Sequence, residues 1–113
     1  MTTEIRTDST QLDAVGAAMA LLSAHPELSA GCVSFRLLAV PGRLERVWGM
    51  YVAVHRSLSE FERWREVLDI NPATIDADEY GGTAWLEGSG SFAGVPAELV
   101  GYYDLPDDEP DER

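Results

Sequence analysis

The apolar positions of this chain follow two rhythms, one of three and four residues and one of two, and the changes of rhythm divide it into elements. From 8 to 25 the longer rhythm holds. Leu12, Val15, Met19 and Leu22 recur at helical spacing behind Asp8, Ser9 and Thr10, whose side-chain oxygens suit the free amides of a helix start. Pro26 disfavours helical geometry at His25 and ends the segment. No charged residue lies between Asp13 and His25, and Ala14, Gly16, Ala17, Ala18 and Ala20 stand where a charged back is normal. A helix that is small or apolar on every side is usually covered on two sides. Part of it, with Val15, Ala18, Met19 and Leu22, is therefore expected to meet a second copy or another partner, with cover by the chain's own sheet as the alternative.

The rhythm of two begins at Gly31. Val33, Phe35, Leu37 and Ala39 alternate with Ser34, Arg36 and Leu38, which predicts a strand over 31–40 with one face on a core. Pro41-Gly42-Arg43 is a turn, and a second strand follows from about 44 to 55, with Trp48, Met50, Val52 and Val54 on one face and Val47, Gly49, Tyr51 and Ala53 on the other. Neither face is polar, which predicts a central strand. The segment 57–68 reads as a second helix. Ser57 and Glu60 have the spacing of a capping box, and Phe61, Trp64 and Leu68 form an apolar stripe against a back of Glu62, Arg63, Arg65 and Glu66. Residues 71–82 look like an acidic loop closing in Gly81-Gly82. Thr83–Phe92 and Val95–Tyr103 then flank Ala93-Gly94 as a hairpin. Gly88 and Gly90 suggest a bulge or a close backbone approach, and Pro96 suggests a strand that lies at an edge or begins there.

The element order predicts a single α+β domain over 8–105, in α-β-β-α-β-β order, with helices on one face of an antiparallel four-stranded sheet. Residues 1–7 are expected to be a flexible start and 106–113, which hold no apolar side chain apart from proline, a disordered acidic tail.

Composition narrows the possible functions. With 113 residues, 20 acidic side chains against 8 basic ones and a net charge of -12, direct binding to nucleic acid or to anionic membranes is disfavoured. The charge is uneven: the first 30 residues carry -3, residues 31–68 carry +2 from six Arg against four Glu, and residues 69–113 carry -11 from twelve acids against one Arg. All the basic residues are Arg, which a GC-rich genome explains and which bidentate carboxylate recognition would also explain. In a docking contact, Arg43 and Arg46, with Arg63 or Arg65, are the cations placed to meet carboxylates of another chain. Cys32 stands alone, so an internal disulfide is impossible. The polar, acid-bearing first residues do not read as a signal peptide, and the run from Ala14 to Ala24 is too short to span a bilayer, so a cytoplasmic protein is expected.

Several motifs point to chemistry and fall short of it. Asp76-Ala-Asp78-Glu79-Tyr80-Gly81, with Glu87 at position twelve, follows most of the EF-hand calcium spacing. However, Tyr80 is a poor ligand, Thr83 replaces the usual aliphatic, and a strand-like segment follows where the motif needs a helix. Gly88-Ser-Gly90-Ser-Phe-Ala-Gly94 is one residue too long for a dinucleotide fingerprint and opens no helix. His25 sits at a helix end and His55 at a strand end, and nothing in the spacing joins Cys32 to either of them as a nucleophile and base. No cofactor or metal is expected.

The reading these residues support is a small non-enzymatic protein-binding or accessory module that acts as a homodimer. A second reading makes Trp48, Met50, Trp64, Trp85, Tyr102 and Tyr103 the lining of a small-molecule pocket, or of an enzyme without a short motif, between sheet and helices. A third makes the acidic surface a nucleic-acid mimic that enters a basic protein cleft.

Overall fold

The computed structural model describes residues 9–40 and 42–104. The expected flexible start, the expected acidic tail and the Asp8 cap lie outside the described residues.

The first helix, α1 (Gln11–Ala24), opens with a reciprocal capping box. The Asp13 amide donates to Thr10 Oγ1 at 3.1 Å, and the Thr10 amide donates to Asp13 Oδ2 at 2.8 Å. A single 3-10 turn (Ala30–Cys32) leads into β1 (Val33–Leu38), and β2 (Val47–His55) returns antiparallel beside it. The turn between them closes on the Arg43 amide, which donates to the Val40 carbonyl, with Gly42 at φ 81°.

The second helix, α2 (Leu58–Val67), starts at Ser57, whose Oγ accepts from the Glu60 amide at 3.2 Å. The expected capping box forms only this half. The Glu60 carboxylate turns away from the helix start and accepts from the Ser29 amide (3.0 Å) and from Trp64 Nε1 (3.2 Å), tying the turn after α1 to the buried side of α2. Arg65 fastens the other end of the helix, with Nη1 on the Ile70 carbonyl at 2.8 Å and Nε on Glu62.

After a second 3-10 turn (Pro72–Thr74), the segment expected to be an acidic loop contains a strand, β3 (Asp76–Tyr80). It pairs with β4 (Thr83–Phe92) across Gly81-Gly82, both at positive φ, so these glycines make a hairpin turn. Asp and Glu are poor strand formers, but an edge strand exposed on both faces can carry them. All five residues of β3 are exposed. A second hairpin joins β4 to β5 (Val95–Asp104) through Ala93 and Gly94, also at positive φ, as expected.

The sheet therefore has five strands in the order β1-β2-β5-β4-β3, and it is mixed. β2 and β5 run parallel, with Met50 beside Ala97 and Val52 beside Leu99, while every other pair is antiparallel. A four-stranded antiparallel sheet is thus corrected on both counts. The acidic β3 adds the fifth strand, and the long connection from β2 through α2 and the β3–β4 hairpin brings β5 back alongside β2 in the same direction. β2 is central, as expected. Pro96 marks the start of its strand, but that strand is interior: the β2 ladder begins only at Ala97, one residue beyond the ring that lacks a donor.

Both helices cover one face. Met50, Val52 and Val54 of β2 and Val95, Ala97 and Leu99 of β5 pack with Ala14, Ala17, Ala18 and Leu21 of α1, with Phe61 and Trp64 of α2 and with Leu68 after it. The β4–β5 register runs unbroken from Thr83 to Phe92, so no bulge exists at Gly88 or Gly90. These two glycines serve the close approach that was the other expectation. A Cβ on Gly90 would stand 2.8 Å from both Ile70 Cγ1 and the Leu68 carbonyl, and one on Gly88 would stand 2.5 Å from Ile75 Cδ1. The chain leaving α2 lies directly on the backbone of β4.

Among the described residues, one buried polar atom on this side has no hydrogen-bond partner. The Tyr103 hydroxyl is enclosed and unpaired, and burial pushes its pKa up. Tyr103→Phe is therefore expected to leave the fold intact and raise stability by about 1 kcal/mol, the cost of an unsatisfied buried hydroxyl, measurable as a higher urea midpoint at constant slope.

Candidate functional site

The side chains of α1 lie one step around the helix from the expected arrangement. Ala14, Ala17, Ala18 and Leu21 face the sheet, with Ala14 and Leu21 completely enclosed. Ala18, expected at a contact with another molecule, is instead in the core. The reason is steric. The sheet supplies the bulk at Met50, Val52 and Leu99, so the helix presents methyl groups and sits close. The stripe of larger residues at Leu12, Val15, Met19 and Leu22 is left on a flank. Leu12 is 79% exposed and Met19 66%, while Val15 and Leu22 are half-buried. Thus Val15, Met19 and Leu22 do share one side of the helix, together with Leu12. Of the expected arginines, Arg46 is exposed and Arg43 half-buried, both in the β1–β2 connection.

The interior between sheet and helices is packed. Met50 and Trp64 are fully enclosed there. The aromatic set read as a pocket lining is divided between the two faces of the sheet: Trp64 lies on the helix side with Met50 and Tyr103, whereas Trp85 and Tyr102 stand opposite each other on the bare side. A lining shared by all six is excluded by strand parity.

The bare side holds a row of polar side chains that touch one another. Arg36 on β1 lies flat over the Tyr51 ring, its guanidinium carbon 3.6 Å from the centroid. The Tyr51 and Tyr102 hydroxyls are 3.3 Å apart, and the His55 ring stacks on Tyr102 at 5.1 Å between centroids. Burial, followed by the hydrogen bond to Tyr102, pushes the Tyr51 pKa up to about 12. Beside this row stands a line of acids: Asp76 opposite Glu87, and Glu98 on the next strand opposite Tyr51 and Ser89. Glu98 is hydrogen-bonded to Glu87, and this bond, then burial, then the charge of Glu87 push its pKa up to about 7, against a downward pull from Arg36. The pair can hold one proton between two carboxyls near neutrality.

The sign of the resulting pH dependence follows from that shift. A carboxyl that binds its proton more tightly in the folded state contributes stability fully below pH 4.5 and loses it as pH rises through 7. Glu98 is partly open to solvent, so screening reduces the effect to about 1 kcal/mol. Glu98→Gln is expected to remove this loss, so that its melting temperature exceeds the wild-type value at pH 8 and matches it near pH 5, as scanning calorimetry would show.

The other expected chemistry is dispersed. Cys32 packs against the core at the start of β1, whereas His55 stands exposed on the bare face, and His25 sits 3.7 Å from Glu27. The calcium-like residues form the β3–β4 hairpin, and among the described residues no group of three acidic, His or Cys side chains converges on one point. A concavity of about 480 Å³ runs along this hairpin between Asp78, Glu79, Trp85 and Leu86 and is open to solvent. Among the described residues no helix is long and apolar enough to cross a membrane.

Sequence reading overlooked Arg36, Tyr51, Glu98 and Tyr102 as a group. The available signal was parity: each occupies the strand position that alternates with the core positions Phe35, Met50, Leu99 and Tyr103. The chain matches no protein-family model, no curated protein and no solved structure.

Proposed function

We propose that this chain is a non-enzymatic protein-binding module that works as a homodimer. The observation that carries this reading is the flank of α1. Four large apolar residues at helical spacing, Leu12, Val15, Met19 and Leu22, lie on the flank beside the core-facing alanines; Leu12 and Met19 are mostly exposed, while Leu22 also packs against the core. Among the described residues nothing charged lies on this helix after Asp13, so the flank carries none of the charge that keeps a solvent-facing helix apart from its neighbours. The packed interior and the dispersed Cys and His residues favour a contact function over a catalytic one.

Sedimentation equilibrium tests the reading. A dimer at micromolar concentration is expected, and Leu12→Glu with Met19→Glu should raise its dissociation constant at least tenfold, since each charge would be buried in the contact. A wild-type monomer at that concentration would overturn the reading.

The bare face supports a second, acidic role. Residues 69–104 contain seven acids and no basic residue, and Asp76, Asp78, Glu87 and Glu98 are held on strands at regular spacing. Ordered carboxylates of this kind suit a basic protein cleft, as a nucleic-acid mimic requires. Capture of a basic partner that is lost between 0.1 and 0.5 M salt, over which the Debye length falls from about 10 Å to about 4 Å, would support this role.

A further inference from the structure

The two edges of the sheet differ. β3 is guarded: its five residues are all exposed, and Asp76, Asp78 and Glu79 place charge along that edge. β1 has no acid. Its single charged residue, Arg36, lies flat on Tyr51 of the chain's own sheet at 3.6 Å and so does not project from the edge. Edges without charge, proline or cover are templates for another strand.

We propose that two copies of this chain join through their β1 edges, antiparallel about a twofold axis at Phe35, to make one continuous ten-stranded sheet. This rests on the homodimer reading above and adds the β1 edge to the flank of α1 as a second surface of the dimer contact. An antiparallel edge is self-complementary, so the same strand serves both copies in an isologous contact. Strand parity and charge select the register. Centring on Phe35 sets Val33 against Leu37 of the partner subunit on the helix side, and Ser34 against Arg36 of the partner subunit on the bare side. Centring on Arg36 would oppose two guanidinium groups, and a register centred between two residues would place helix-side positions against bare-side ones.

Charge and apolar exposure agree on a second copy as the occupant. In this arrangement β3, β4 and β5 lie on the sides of the two sheets away from the seam, so the six carboxylates that these strands carry are kept apart from those of the partner copy. The side chains near the seam carry little charge: from 10 to 38 there are Asp13, Glu27 and Arg36. Leu37 is 47% exposed on the helix side of the edge. α1 packs over β1 and β2, so both copies of α1 enter the same layer on either side of the seam.

The test uses the full chain carrying Cys32→Ser with Ser34→Cys and Arg36→Cys, incubated with oxidised glutathione and compared with each single cysteine. Opposite residues on antiparallel strands lie about 4.5–5.5 Å apart at Cα, within disulfide reach. A disulfide-linked dimer is expected from the double variant in the majority of chains, with little from either single variant. Efficient cross-linking by a single cysteine would overturn the register. A wild-type dimer that forms no cross-link in the double variant would overturn the β1 edge and leave the homodimer reading standing, whereas a wild-type monomer would remove both. As an independent arm, Leu37→Lys, at a position exposed in the single chain, is expected to raise the dissociation constant at least tenfold with an unchanged circular dichroism spectrum. An unchanged constant would overturn the proposal.

Discussion

Trp64→Ala is expected to lower stability by about 3–5 kcal/mol and the melting temperature by roughly 15–30 °C, enough to leave the chain partly unfolded at 37 °C. Trp64 is the largest fully enclosed side chain and stands among Met50, Leu99, Phe61 and Leu68, where β2, β5 and α2 meet. Removing it opens a cavity that backbone elements on three sides must hold open, and the cost rises with the volume left unfilled. A second loss is polar. Trp64 Nε1 donates to Glu60 Oε2, the same oxygen that accepts from the Ser29 amide, and the Glu60 side chain is only 16% exposed. Without the indole, that carboxylate keeps fewer partners in a poorly solvated place. Trp64→Phe separates the two effects, because it retains most of the volume and removes the donor; about 1–2 kcal/mol is expected, from the cost of a lost hydrogen bond to a charged group. Urea unfolding followed by circular dichroism measures both. A Trp64→Ala loss below about 1 kcal/mol would mean that the helix–sheet interface is not close-packed.

Local signals in the sequence carried the helices and the last hairpin, and long-range geometry decided the rest. α2 is legible because its stripe and its charged back occupy opposite sides, and β4–β5 because Ala93-Gly94 separates two runs of hairpin length. α1 is legible as a helix but misleading in its orientation. Val15, Ala18, Met19 and Leu22 were expected together at a contact with another molecule, whereas the space above a sheet already filled by Met50, Val52 and Leu99 takes Ala18 into the core with Ala14, Ala17 and Leu21. β3 was hidden for a related reason: the composition DADEY opposes strand formation, and only the ladder to β4 holds it extended. The parallel pairing of β2 with β5 joins residues some fifty positions apart, such as Val52 and Leu99, and no local pattern reports it. The Arg36–Tyr51–Tyr102 row depends on that pairing, since Tyr51 and Tyr102 become neighbours only when the two strands run side by side. Of the α1 residues expected at a contact with another molecule, Ala18 lies in the core, while Val15, Met19 and Leu22 share one side of the helix.

Gly49→Ala is expected to cost about 3 kcal/mol, as much as removing a large core side chain, although it adds one methyl group. Gly49 precedes the point where β2 and β5 begin to pair, at Met50 and Ala97. A Cβ at Gly49 would collide with the Pro96 carbonyl oxygen and stand 2.8 Å from Leu38 Cδ1 and 2.9 Å from Pro96 Cγ. Leu38 could change rotamer, but the Pro96 carbonyl is backbone, and the proline ring fixes its φ. Relief therefore requires β2 and β5 to separate at the start of their ladder, which weakens the one parallel pairing that joins the β1–β2 half of the sheet to the β5–β4–β3 half. The neighbouring Ala53→Gly provides the control. It occupies the same bare side of β2 with no such collision and should cost about 1 kcal/mol, the ordinary entropic penalty of glycine in a strand. Equal losses for the two substitutions in urea unfolding would show that the strands can part at Gly49 without consequence. The larger loss expected at Gly49 would locate the mechanical join of the sheet at Gly49 and Pro96.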